Sequence, residues 1–251
     1  MRVLVTGGTG TLGRALVPTL TRAGHEVRVT SRREHEGDEW VRADLATGDG
    51  VAEAVTGVDA VVHLASAPYK GKYTAKVDVD GTRRLAEAAH TAGVRHLLYV
   101  SIIGVDRIPF GYYRVKLAAE QVVANAEVGW SVLRAAQFHD LLETAFRALT
   151  RLPFAVADPR ITAQPVATRD VAAHVLAMLE RGPSLAVEEF GGPEVLDFEQ
   201  ALRAWMTARG VRRPVLRIRV PGKAGRAFRG GHLTTTAQPT GTVTWAEHLR
   251  S

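Results

Sequence analysis

The stretch Val3-Leu4-Val5-Thr6-Gly7-Gly8-Thr9-Gly10-Thr11-Leu12-Gly13 decides the fold. An apolar run closed by a threonine reads as a buried strand. Glycines then recur at every third position, Gly7, Gly10 and Gly13, and an amphipathic helical pattern follows. A strand that enters a helix through glycines lets the backbone come close to a pyrophosphate, because no Cβ stands in the way. The helix start adds free N–H groups and the positive end of its dipole. Thr6, Gly7, Gly10, Thr11, Leu12 and Gly13 are therefore the expected phosphate-binding turn.

Outward from this turn, strand and helix patterns alternate. Strands are predicted over residues 3–6, 26–30, 40–43, 60–64, 95–101 and 130–135, with helices over 12–23, 49–56, 79–91 and 112–127. Pro18 inside the first helix removes a backbone donor and is expected to disturb it. Near-continuous apolar strands separated by helices imply a parallel sheet covered on both faces. The predicted class is α/β, a doubly wound parallel sheet in the Rossmann arrangement. Beyond Ala135 the alternation loosens. Helices are expected over 139–151 and 168–180. Asp197 with Gln200 reads as a capping box for a helix reaching Arg209, and residues 214–220 read as a strand. Pro221, Gly222, Gly225, Gly230 and Gly231 mark a loop, and Thr244 with Glu247 caps a last helix. Residues 1–251 are taken as one dinucleotide-binding domain, in which 136–251 form an irregular lobe for the substrate.

Composition narrows the function classes. The chain has 251 residues, 46% hydrophobic and 23% charged, enough for one α/β domain with a sizeable core. No cysteine is present, which excludes disulfides, thiolate catalysis and cysteine-ligated metal, and no metal site is expected. No run of about 20 apolar residues offers a membrane span. The chain opens on a strand rather than a basic stretch and an apolar signal core, so a cytoplasmic location is expected and no membrane partner. The formal charge is +6. It gathers between Gln200 and Ala246, where arginines abound and Asp and Glu are absent. Leu216, Ile218 and Val220 alternate there with Arg217 and Arg219, the pattern of a half-buried strand with one wet face. Few aromatics stand nearby to stack bases. A solvated or substrate-facing surface is expected, with no nucleic-acid partner.

The end of the second strand speaks to the cofactor. NAD-binding proteins of this architecture place a carboxylate there for the ribose diol. This chain reads Val29-Thr30-Ser31-Arg32-Arg33. Guanidinium groups match a phosphate in charge and geometry, and Ser31 adds a hydroxyl. Ser31, Arg32 and Arg33 therefore predict NADP(H) in preference to NAD(H). Asp44, after the third strand, is placed at the adenine edge. Leu64, Ala65 and Ser66, after the fourth, are placed beside the dinucleotide.

With these residues in view, the chain resembles the short-chain dehydrogenase/reductase superfamily, in its extended and atypical branch that includes NmrA-like proteins. The resemblance covers roughly the first 140 residues. It rests on Gly7/Gly10/Gly13, on Val77-Asp78-Val79-Asp80-Gly81-Thr82, similar to the family's Asn-Val-x-Gly-Thr with Asp78 in the Asn place, and on Tyr112-x-x-x-Lys116. Phe190-Gly191-Gly192-Pro193-Glu194 is similar to a segment of NmrA-like members. On a helix, residues four apart share a face, so Tyr112 and Lys116 can point together. The resemblance implies that Lys116 holds the cofactor ribose and favours tyrosinate by its charge, while Tyr112 moves the substrate proton. It implies a serine closing the fifth strand as third member. Ser101 is the candidate, although it aligns with the first serine of the family's pair and Ile102 takes the second place. Gln137 and His139 follow the sixth strand as possible lining residues.

The activity implied is an NADP-dependent oxidoreductase acting on a small carbonyl or alkene. Two other readings stand beside it: a non-enzymatic NADP-sensing regulator of NmrA-like type, and a nucleotide-sugar epimerase or dehydratase, against which the short final lobe speaks. In this superfamily the Tyr112 helix and its predecessor commonly build a dimer face, so the resemblance allows a homodimer.

Overall fold

The computed structural model describes residues 1–250. The elements, in chain order, are β1 (Arg2–Thr6), α1 (Thr11–Arg22), β2 (Glu26–Ser31), β3 (Trp40–Arg42), α2 (Val51–Val55), β4 (Ala60–His63), α3 (Lys72–Ala75), α4 (Gly81–Thr91), β5 (His96–Ile102), α5 (Gly111–Ala124) and β6 (Trp130–Ala135). After these come α6 (His139–Leu149), β7 (Ala155–Ala157), β8 (Thr162–Ala163), α7 (Thr168–Arg181), β9 (Val187–Phe190), β10 (Leu196–Asp197), α8 (Phe198–Ala208), β11 (Val215–Arg217), α9 (Gly222–Arg229) and α10 (Trp245–Arg250). A π-helical turn, Lys76–Asp80, joins α3 to α4.

Seven strands form one sheet in the order β3-β2-β1-β4-β5-β6-β9. The pairs β1–β2, β1–β4, β2–β3 and β4–β5 are parallel. The chain winds outward one way from β1 to β3 and the other way from β4, so the direction reverses between β1 and β4. Ligands in such sheets bind at the carboxyl ends of the strands flanking that reversal. Residues of β1, β4 and β5 are almost wholly buried, as their unbroken apolar runs require. One face of the sheet packs Leu4, Val61, Leu97 and Val132 with Leu85 and Ala89 of α4 and Ala119 and Val123 of α5.

The chain divides into two compact units. The first comprises Met1–Ser101, Gly111–Arg134 and Ala172–Glu188; the second comprises Ile102–Phe110, Ala135–Val171 and Glu189–Ser251. The second has its own core, in which Phe146 of α6 meets Trp205 of α8 and Trp245 of α10. It carries two small ribbons, β8–β10 antiparallel and β7–β11 parallel.

Several expectations need correction. Helix α1 runs through Pro18. The helical backbone that leads into α4 begins at Lys72, seven residues before the expected start, because the π turn hides the 3.6-residue period. The strand predicted over 214–220 is only Val215–Arg217, and Leu216 and Ile218 are 45% and 46% exposed. The glycine-punctuated loop after it is helix α9. Gly225 serves there as a close-packing position against the Val220 carbonyl rather than as a breaker. Asp197 makes no side-chain cap on α8. The Thr244–Glu247 capping box does form: Thr244 Oγ1 accepts from the Glu247 N–H at 3.2 Å, and Glu247 Oε2 accepts from the Thr244 N–H at 2.8 Å.

Candidate dinucleotide and reactive site

At the carboxyl ends of β1 to β4 lies a cleft of about 730 Å³. Of the residues expected to bind cofactor, Gly7, Gly10, Ser31, Arg32, Arg33, Asp44, Leu64, Ala65 and Ser66 line it; Thr6, Thr11, Leu12, Gly13 and Lys116 do not. The turn fits a closely approaching anion. Gly7 has φ +72°, and a Cβ there would stand 2.7 Å from the Ala65 nitrogen. Gly13 similarly lets α1 begin directly against the Gly7 and Gly8 carbonyls. Leu12 is buried and supports the turn from behind.

Thr6 is committed to a buried chain that the sequence reading did not single out. Thr6 Oγ1 lies 2.6 Å from His63 Nδ1, and His63 Nε2 lies 2.9 Å from Thr82 Oγ1. Thr82 gives its own proton to the Asp78 carbonyl at 2.6 Å, so it accepts from His63, and His63 accepts from Thr6. His63 is neutral: complete burial drives its pKa down to about 3, with the Lys116 charge adding to the effect. The chain ties β1, β4 and α4 together beneath the cleft.

At the β2 end, Arg32 Nη1 lies 3.4 Å from the Tyr73 hydroxyl. Ser31 Oγ accepts from the Arg33 N–H at 3.0 Å and lies 2.9 Å from His35 Nε2. His35 stacks on Trp40. Asp44 turns inward locally, its Oδ1 accepting the Ala46 N–H at 2.8 Å.

Beside the cleft, helix α5 presents Tyr112 and Lys116 one turn apart. The Tyr112 hydroxyl lies 2.8 Å from Ser66 Oγ, and Ser66 Oγ donates to Asp78 Oδ1 at 2.5 Å. Asp78 Oδ2 accepts the Ala67 N–H at 2.9 Å. Lys116 is buried; its Nζ donates to the Val100 carbonyl at 2.9 Å and stands 4.1 Å from the centre of the Tyr99 ring. Burial lowers the Lys116 pKa to about 8, while the Asp78 and Glu120 charges pull it upward. Burial raises the Tyr112 phenol above its ordinary range, the Ser66 hydroxyl opposes this, and Asp78 raises it further. Ser101 is buried, and its Oγ has no hydrogen-bond partner. The hydroxyl that meets Tyr112 is thus Ser66, twelve residues before Asp78. Tyr69 covers Tyr112, ring to ring at 5.3 Å, from a left-handed backbone position with φ 60°. In the second unit, His139 is fully buried against Trp245 and His248. Among the described residues no group of three His, Cys, Asp or Glu side chains gathers to hold a metal, and no helix is long and apolar enough to cross a membrane.

Residues 7–181 match a family model described as NAD(P)H-binding. A photosystem II assembly factor Ycf39 of Trieres chinensis is 28% identical, over 72% of this chain and 60% of its own. A 3-beta-hydroxysteroid dehydrogenase of Mycolicibacterium neoaurum is 37% identical, over 51% of this chain and 44% of its own. The chain thus spans 60% or less of the length of these curated relatives. Among solved structures, a short-chain dehydrogenase/reductase superfamily protein of Agrobacterium tumefaciens with bound NAD superposes with a TM-score of 0.76. It is 22% identical and covers 100% of this chain and 95% of its own, a likeness of fold. The cleft at the strand reversal, the glycine turn and the family match agree, and the chain belongs to the NAD(P)H-binding family.

Proposed function

We propose that the chain is an NADP(H)-dependent oxidoreductase acting on a small carbonyl or alkene. The observation that carries this reading is Ser66: one side chain lines the dinucleotide cleft and hydrogen-bonds the Tyr112 hydroxyl, so cleft and phenol form one site. The glycine turn from Gly7 to Gly13 holds the pyrophosphate, and Arg32 stands at the 2′-phosphate end beside Tyr73. The bound dinucleotide supplies or accepts the hydride. Tyr112 supplies the proton to the product oxygen. Its raised pKa keeps it a protonated phenol in the free protein, the form that can donate. Lys116, charged below about pH 8, favours release of that proton by its positive field. The dehydrogenase relative named above points the same way. A homodimer and a cytoplasmic setting belong to the same proposal.

The second reading is an NADP sensor without turnover. It draws on Ser101, whose Oγ is buried and bonded to nothing. The two are separated by NADPH oxidation across a panel of quinones, aldehydes, ketones and enones. Turnover that falls about 100-fold or more in Tyr112→Phe, the scale of a lost general acid, supports the enzyme. A panel with no turned-over compound favours the sensor.

A further inference from the structure

We infer that Asp78 is the terminal proton acceptor and donor of the reactive site, connected to Tyr112 through the Ser66 hydroxyl. The inference rests on the oxidoreductase reading and names a relay within the same site.

Hydrogen-bond counting sets the direction of the chain. Ser66 has one hydroxyl proton, and it is given to Asp78 Oδ1. In the 2.8 Å contact with Tyr112, Ser66 therefore accepts and the phenol donates. The phenol proton points toward Ser66, which leaves the Tyr112 lone pairs free for a substrate. Asp78 is 1% exposed and its second oxygen is held by the Ala67 N–H, so the carboxylate is fixed in place. The π turn that carries Asp78 brings it to this position, and such turns recur at functional sites. An asparagine at this position cannot take up a proton; an aspartate can.

In the alcohol-oxidising direction, the substrate O–H bond breaks and its proton goes to the Tyr112 oxygen. The phenol proton passes to Ser66 Oγ, and the Ser66 proton to Asp78 Oδ1, which ends as a carboxylic acid. The electron pair left on the substrate oxygen forms the C=O bond as the carbinol hydride leaves for an oxidised nicotinamide dinucleotide. Carbonyl reduction is the reverse and starts from protonated Asp78. No tyrosinate forms in either direction. This suits a phenol that burial and the Asp78 charge hold in its protonated form. The charged and titratable groups facing Asp78 are Tyr99 on β5 and Tyr112 and Lys116 on α5.

The test is a double-mutant cycle read by nuclear magnetic resonance on the substrate-free full chain, labelled with 13C at the tyrosine Cζ. The five tyrosines are assigned with Tyr112→Phe as reference, and folding of each variant is checked by circular dichroism. At neutral pH, Asp78→Asn moves the Tyr112 signal. In a Ser66→Ala background the same substitution leaves that signal in place, because the link is gone. Ser66→Thr, which keeps the hydroxyl, restores the response. A shift of equal size with and without Ser66, or no shift at all, overturns the relay. Kinetics give a second reading. Carbonyl reduction by the wild type slows as pH rises. In Asp78→Asn it is slower by about tenfold or more and its dependence on pH is lost. An unchanged profile in Asp78→Asn overturns the inference. NADPH oxidation by the wild-type chain across the panel of quinones, aldehydes, ketones and enones tests the oxidoreductase reading separately.

Discussion

Lys116 shows what the site demands of single residues. A buried ammonium with no carboxylate partner destabilises the fold. Its pKa falls from 10.5 to about 8, chiefly through burial, which corresponds to about 3 kcal/mol against the charged form at neutral pH. Between about pH 8 and 10 the unfolded chain holds a proton that the folded chain has lost, so stability rises with pH over that window. Above it, Tyr99 and Tyr112 act the opposite way, since burial holds both phenols protonated past their ordinary range and their ionisation favours unfolding. Lys116→Met should therefore stabilise the fold by about 1–3 kcal/mol at pH 7 in urea denaturation, part of the gain being lost with the Val100 hydrogen bond. The rise in stability above pH 8 should disappear, and turnover with it. A loss of stability in this variant contradicts the account. Tyr112 and Lys116 were legible in the sequence because a spacing of four means one helix face. The contact of Ser66 with Asp78 and Tyr112 was not, because it joins a loop, a π turn and a helix that no local period relates.

Elements with one strong local signal were legible throughout. The six expected strands of the main sheet stand within two residues of their predicted limits, because buried parallel strands are written as apolar runs. Short elements were not. Strands β7, β8 and β10 have two or three residues each, fewer than a period needs to declare itself, and α9 is glycine-rich. The β2 end was legible in a different way: the missing carboxylate is a property of a position, and the structure puts Arg32 and Arg33 on the cleft wall. Tyr73, the partner of Arg32, lies 41 residues further on and left no mark in the pattern. In calorimetric titration Arg32→Ala is expected to cost about 1–3 kcal/mol of NADPH affinity, the range for one charge-assisted contact, and to leave NADH binding nearly unchanged. Equal losses for both cofactors would remove the 2′-phosphate assignment.

Across the whole molecule, the arginines that set the +6 charge are distributed with more purpose than the acid-free run suggests. Several find acids outside that run. Arg203 and Arg217 share Glu199, each within 2.9 Å, Arg209 pairs with Glu143, and Arg229 meets Asp158 at 2.7 Å. The last pair is buried, with side chains 10% and 2% exposed, and it ties the end of α9 to the loop after β7. Burial alone would raise the Asp158 pKa, but the Val220 N–H and the Arg229 guanidinium outweigh it and hold the carboxyl below its usual range. A depressed carboxylate contributes stability above its unfolded pKa and loses it as pH falls through the folded value, here below about pH 4. Asp158→Ala strands a buried guanidinium and should cost about 3 kcal/mol in denaturant unfolding, with new protease cleavage near Arg226 and Arg229. A variant as stable as the wild type refutes this.

The proposed function depends on the cleft and the Tyr112 hydroxyl serving one bound dinucleotide. A crystal structure with NADPH measures this directly. The account predicts the pyrophosphate over Gly7 to Gly13, the 2′-phosphate within hydrogen-bond reach of Arg32, and the nicotinamide beside Tyr112. A substrate-sized space should remain, so that a reacting carbon about 3–3.5 Å from the nicotinamide C4 can also have its oxygen meet the phenol. A nicotinamide directed away from Tyr112, or walled off from it by apolar side chains, would contradict the account.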